Sequence, residues 1–322
     1  MSTHSFKWGL IGYGDLAEKR VAAALKNAPG SQLCSVWGRN FDKASDFAKR
    51  HQIPKSYSSL DELLRSDIDG IYVCTPTDSH AEYGLAALQH GKHVLLEKPM
   101  ASSVRECEEM IRFARSKKLW IGVAYYRRAF PKMRKIKELI DSGALGTPVW
   151  VNMSAHSWFN PPMNDPKYWR VEKTRSGGGG ALTDIGVHRL DLLNYWLGPS
   201  KVRFKTLHQM VHSYEVEDGS SIVLELKNGA PVHAYFSWNS KTWMDRFEIV
   251  GSESKIIVEP LDGASLVLIR GREREEFQIE PPSNAHLPCV EDFVKAVSEK
   301  REPLCNGEDG LHVNRLLQEI LN

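Results

Sequence analysis

The feature that most limits what this chain can become is an alternation, from residue 6 to about residue 123, of short unbroken apolar runs with helical patterns. The runs are Trp8-Gly9-Leu10-Ile11, Leu33-Cys34-Ser35-Val36-Trp37, Gly70-Ile71-Tyr72-Val73-Cys74, His93-Val94-Leu95-Leu96 and Trp120-Ile121-Gly122-Val123. None alternates polar with apolar, as expected of strands covered by helices on both faces. Strand and helix repeated in this way predict a parallel, doubly wound sheet. Helix starts are legible between the runs. A helical segment from Ala17 follows the first glycine turn, Asn40 can cap a helix at Phe41, and Ser102 or Ser103 can cap one at Val104.

The pattern changes after Pro131. A helix through Lys135-Ile136-Lys137-Glu138-Leu139-Ile140 ends at Ser142-Gly143, and Val149-Trp150-Val151-Asn152-Met153 opens a set of strands of another kind. From residue 202 to about residue 279, short and partly alternating strands follow one another through turns such as Lys227-Asn228-Gly229, without helical crossovers. The expected fold is therefore α/β: a doubly wound Rossmann domain over residues 1–123, then an α+β domain over residues 124–322 with a large, mainly antiparallel, open-faced sheet. Helical spacing returns in residues 290–297 and 311–321, and these segments are expected to pack back on the body of the protein, the first domain included.

At 322 residues with 42% hydrophobic side chains, the chain is long enough for two cores. A net charge of +2 without a dense basic run argues against nucleic acid as a partner. No apolar stretch approaches the ~20 residues needed to span a bilayer, and the first residues carry no apolar signal core. A cytoplasmic protein without a membrane partner is expected. Five scattered cysteines argue against a disulfide framework or a bound metal.

The first run leads into Gly12-Tyr13-Gly14-Asp15-Leu16-Ala17, a G-x-G-x-x-A turn that lets backbone amides and a helix N-terminus approach a pyrophosphate. Gly12, Gly14, Asp15 and Leu16 are thus candidates for a dinucleotide. The second run ends in Trp37-Gly38-Arg39-Asn40, without the acidic residue that binds the ribose hydroxyls of NAD. Arg39 offers a guanidinium for a 2′-phosphate instead, with Asn40 beside it, so NADP(H) is favoured and NAD is the alternative. Thr75-Pro76-Thr77-Asp78-Ser79-His80 follows another run at the carboxyl end of the sheet, where Thr75, Pro76, Thr77 and His80 become cofactor neighbours.

The next run delivers Glu97-Lys98-Pro99, and some 80 residues later stands Gly178-Gly179-Gly180-Ala181-Leu182-Thr183-Asp184-Ile185-Gly186-Val187-His188. Together with Thr-Pro-x-x-x-His at Thr75 to His80, these motifs resemble the glucose-fructose oxidoreductase and inositol dehydrogenase family, often written Gfo/Idh/MocA. Order and spacing agree across essentially the whole chain. The resemblance implies an NAD(P)-dependent oxidoreductase acting on a secondary hydroxyl or carbonyl of a sugar, inositol or sugar derivative. It places Lys98, Asp184 and His188 in the catalytic group and Glu97 and Lys98 beside the cofactor. It also implies a homodimer or homotetramer built through the C-terminal sheet.

The chemistry is consistent with that assignment. Oxidising a secondary alcohol removes a hydroxyl proton while a hydride leaves its carbon, so a base and a nearby cation are needed. Asp184 and His188, four residues apart, share one face of a helix. His188, with an ordinary pKa near ~6.5, is the acid/base candidate, and Lys98 would stabilise alkoxide charge. Asp184 would orient His188 or bind a substrate hydroxyl. The glycine run before them is an entry to the helix more than a phosphate cradle. Tyr126, Trp169 and Arg170, with Asp184 and His188, are the candidates for substrate binding, the aromatic pair as flat surfaces for a sugar ring. Two rivals on similar folds are a glycosidase using bound NAD for transient oxidation and a non-catalytic cofactor-sensing regulator.

Overall fold

Six strands make the parallel sheet: β1 (Phe6–Ile11), β2 (Ser31–Trp37), β3 (Lys55–Ser56), β4 (Gly70–Val73), β5 (His93–Leu96) and β6 (Ile121–Val123), in the order β3-β2-β1-β4-β5-β6. Every pairing in it is parallel. The connections are α1 (Ala22–Asn27), α2 (Phe41–His51), α3 (Leu60–Arg65), α4 (His80–Gln89) and α5 (Val104–Lys117). Asn40 caps α2 through Lys43 N, and Ser59 and Ser103 each form a capping box, with Glu62 and Glu106. Because the order reverses between β1 and β4, their carboxyl ends diverge and leave the crevice in which such sheets hold ligands.

The computed structural model describes residues 5–322, which cluster into two units. One runs to Ala129 and includes Pro282–Asn314; the other is Phe130–Pro281 with Arg315–Asn322. The first unit extends past Val123 because Tyr126, in the turn Tyr126–Ala129, packs its ring on His286 at 4.6 Å. It also takes in α8 (Leu287–Glu299), which follows α6 (Pro131–Asp141) and α7 (Val187–Leu197) in the chain. Phe293 of α8 reaches Trp8 and Phe6 at ring distances of 5.5 and 6.3 Å, so this helix completes the core over the parallel sheet. The division between the units falls inside α9 (Gly307–Leu321).

The second unit is built on eight strands: β7 (Pro148–Trp158), β8 (Ser200–His208), β9 (Gly219–Leu226), β10 (Pro231–Ser237), β11 (Asn239–Gly251), β12 (Lys255–Val258), β13 (Ser265–Arg270) and β14 (Glu273–Gln278). Their order is β14-β13-β12-β11-β7-β10-β9-β8, antiparallel except for β7 with β10. Along β7 Val151, Met153 and Ala155 are buried and alternate with half-exposed Asn152, Ser154 and His156. The buried face packs on α6 and α7, where Trp196 meets Phe247 at 5.0 Å and donates to Met133 O. The opposite face is open. Phe204, Val223, His233 and Asn152 lie in one cross-strand row on it, with Phe204 exposed. At the two sheet edges, β14 exposes Glu273, Arg274, Glu275 and Glu276, and β8 exposes Lys201 and Arg203.

Candidate active site

The crevice between β1 and β4 is shaped by one glycine. Gly12 holds φ at +98°, and a Cβ on it would lie 2.3 Å from Cys74 O, so no larger residue fits where the loop crosses the end of β4. Gly14, in contrast, faces open space. The helix after the loop starts with a π-wound turn, Ala17–Val21, before α1, a winding often found at functional sites. Asn284 donates to Arg20 O within that turn. Leu16 is half-buried, and exposed Asp15 pairs with Lys19 at 2.6 Å. Open space at the second glycine and an unobstructed helix start fit the pyrophosphate of a dinucleotide.

Arg39 is exposed at the end of β2. Tyr13 closes over Gly38, whose added Cβ would touch the tyrosine ring, and its hydroxyl accepts from Asn40 N at 3.3 Å. The Asn40 side chain is committed to capping α2, so of the pair it is Arg39 that is left to reach a ligand. Thr75 and Pro76 are half-exposed beside the Gly12 loop. Thr77 and His80, expected next to the cofactor, are turned inward instead. His80 is 1% exposed, with its ring nitrogens 2.8 Å from Pro99 O and 2.9 Å from Thr75 O. It ties the loop after β4 to the turn after β5, and burial holds its pKa below the ordinary histidine value.

That second turn carries Glu97-Lys98-Pro99. Glu97 is also an internal group: it is 6% exposed, accepts from the Tyr72 hydroxyl at 2.6 Å and faces His286 Nε2 at 3.1 Å. Burial pushes its carboxyl up, but the His286, Tyr72 and Lys98 interactions outweigh that and hold it below the usual carboxylate range. Lys98, half-buried, follows at the carboxyl end of the sheet. Tyr126, expected to hold substrate, is buried in this unit between His286 and Arg127, whose guanidinium lies 4.9 Å from its ring.

In the second unit the glycine run leads into another π-wound turn, Leu182–Gly186, and then α7. Gly177 and Gly178 take φ values of +83° and +95°. A Cβ on Gly180 would lie 2.2 Å from Glu217 O. The Glu217 carboxylate accepts from Gly180 N at 2.8 Å and Leu182 N at 3.0 Å, capping the helix from a residue 37 positions away. Burial raises its pKa despite these bonds. Asp184 and His188 follow on the π-to-α junction. Arg170 Nη1 binds Asp184 Oδ2 at 3.0 Å and its guanidinium lies 5.6 Å over Trp169, which brings three of the expected residues together. His188 is buried in the first turn of α7. Next to it Arg189 donates to Ile185 O and pairs with buried Asp245 of β11.

Glu217, His286, Tyr72 and the Arg189–Asp245 pair were not singled out by the sequence. Each acts across tens of residues, and nothing in the local sequence around them marks a buried role.

Two family models cover most of the chain: residues 6–125 match the oxidoreductase family with an NAD-binding Rossmann fold, and residues 133–257 match the GFO/IDH/MocA C-terminal domain. A 1,5-anhydro-D-fructose reductase from Ensifer adhaerens is 29% identical over 311 residues, 95% of this chain and 92% of that protein. A trans-1,2-dihydrobenzene-1,2-diol dehydrogenase from Xenopus laevis is 34% identical over 222 residues, 68% of this chain and 65% of that one. Among solved structures, a 3-ketoreductase from Actinomadura kijaniata in complex with NADP and TDP-benzene superposes with a TM-score of 0.86 at 25% identity, covering 98% of this chain and 96% of the other. With its parallel six-stranded sheet, its eight-stranded partner sheet and these matches, the chain belongs to the Gfo/Idh/MocA oxidoreductases.

Proposed function

We propose that this protein is an NADP(H)-preferring oxidoreductase acting on a secondary hydroxyl or carbonyl of a sugar, an inositol or a related ring compound. The single observation that carries the proposal is the Lys98 turn at the carboxyl end of the parallel sheet, set over an ionised, buried Glu97. Gly12, Gly14, Leu16, Thr75 and Pro76 would hold the dinucleotide, and Arg39 its 2′-phosphate. The nicotinamide accepts or supplies the hydride. Lys98 stabilises negative charge on the substrate oxygen, and His188 takes or gives the hydroxyl proton. Asp184, neutralised by Arg170, is an orienting group more than a base. Arg170 and Trp169 are the substrate contacts we favour over Tyr126.

Purified protein with NADPH or NADP⁺ and a panel of 1,5-anhydro-D-fructose, aldoses, inositols and cyclic diols, followed at the nicotinamide absorbance, tests the proposal. Lys98→Ala and His188→Ala should each lose at least ~10²-fold in turnover while NADPH still binds. Full activity in either variant removes that residue from the mechanism. Hydrolysis of glycosides with bound NAD, or binding without turnover, would favour the glycosidase or sensor alternative.

The open face of the eight-stranded sheet, with exposed Phe204 in a row of paired strands, supports a homodimer or homotetramer formed through that face. Light scattering of the wild type and Phe204→Glu tests it. Among the described residues no helix is long and apolar enough to cross a membrane. The odd number and scattered spacing of the five cysteines fit a reducing, cytoplasmic setting.

A further inference from the structure

Glu97 directly precedes Lys98, yet its carboxylate points away from solvent into a pocket made by elements far apart in sequence. Tyr72 comes from β4 and His286 from the segment leading into α8. A carboxylate accepts only, so the hydrogen of the 3.1 Å contact sits on His286 Nε2. His286 is 1% exposed and fixed on three sides. Its backbone N–H donates to Asn284 Oδ1, Asn284 in turn donates to Arg20 O beside the glycine loop, and the Tyr126 ring packs on the imidazole at 4.6 Å. A histidine this well anchored, 160 residues beyond Tyr126 in the chain, has its polar end on the buried carboxylate that neighbours Lys98.

We infer that His286 is a positioning residue: through Glu97 it keeps a fixed negative charge beneath Lys98. The inference rests on the functional reading of Lys98 given above. The titratable groups around Glu97 are Tyr72 of β4, Cys74 after it, His80 of α4, Lys98, and His286 and Cys289 at the start of α8. Of these, Tyr72 and His286 bond the carboxyl oxygen, and Lys98 acts on it by charge. Without the imidazole N–H, burial is opposed by one fewer donor. The carboxyl then takes up a proton at higher pH, and the charge under Lys98 is lost in the range where the enzyme works.

The test has two arms. Infrared difference spectra at neutral pH should show a protonated-carboxyl band in His286→Leu that vanishes in the His286→Leu/Glu97→Gln double variant. In turnover of the best sugar of the panel, His286→Leu should lose about tenfold or more in kcat, with KM for NADPH changed less than about threefold and the acidic limb of the pH profile moved upward. His286→Gln, which keeps an N–H near the Nε2 position, should restore both. Glu97→Gln covers the case in which His286→Leu fails to fold: it should lose kcat and show no acidic limb of its own. A folded His286→Leu without the band, or with an unmoved acidic limb, overturns the inference, as does a Glu97→Gln protein with wild-type turnover. The infrared arm does not depend on catalysis by Lys98. An active Lys98→Ala protein alongside the expected band would therefore remove the functional reading and leave the Glu97 clamp standing.

Discussion

Two glycine-rich entries lead into two π-wound helix starts in this molecule, and they differ in what meets the helix end. At Gly12 to Ala17 the N-cap residue Leu16 makes no side-chain cap, the Cys74 thiol meets the Ala17 amide, and Gly14 borders open space. At Gly177 to Leu182 the protein's own Glu217 carboxylate occupies the amides. On the function proposed above, the first entry would receive an anion from outside. The second already holds the protein's own carboxylate at the Gly180 and Leu182 amides, which anchors the start of the turn that carries Asp184. Similar local sequence thus leaves one helix start open at its second glycine and closes the other with a carboxylate from a residue 37 positions away.

The contrast predicts separable failures. Gly12→Ala adds a methyl 2.3 Å from Cys74 O at a positive φ, so NADPH affinity by fluorescence titration should fall at least ~100-fold. A loss below about threefold would place the cofactor elsewhere. Glu217→Ala leaves the Gly180 and Leu182 amides without their acceptor, and urea unfolding should register a loss of about 2–4 kcal/mol. NADPH affinity should stay within about twofold of wild type, and a parallel drop in both would erase the distinction between the entries. Arg39→Ala should weaken NADPH about tenfold and leave NADH unchanged; equal loss for both would show that Arg39 does not read the 2′-phosphate.

The smallest effect concerns pH. Burial raises the Glu217 pKa above the ordinary glutamate value. The folded protein therefore holds this proton more tightly than the unfolded chain does. Its contribution is fully present below the unfolded pKa and declines as pH rises through the folded one. Glu217→Gln should flatten the stability-against-pH curve in that window, and an unchanged slope would mean another group carries it.

The sequence was informative where the physics is local. Unbroken apolar runs marked five of the six parallel strands and missed the short polar β3, while Asn40 and Ser103 cap α2 and α5 as their positions implied. Gly12 stood out by its turn, whereas Lys98, Asp184 and His188 were singled out by the resemblance of their motifs to a known family, with the four-residue spacing of the last two in support. Partners were not legible. His80 and Glu97 look like cleft residues in the linear order, and only tertiary packing shows that main-chain carbonyls claim one while Tyr72 and His286 claim the other. The π winding of both helix starts was equally hidden, since residue spacing does not separate a π turn from an α turn.

The edges of the eight-stranded sheet carry a further consequence. Two molecules meeting symmetrically along β14 would bring together two strands that each carry Glu273, Glu275 and Glu276 against a single Arg274, and along β8 two strands that carry Lys201, Arg203 and Lys205. Such like-charged seams oppose the hydrogen-bonded extension from molecule to molecule that starts fibrils. The charge on both edges thus works against the broad sheet templating its own aggregation.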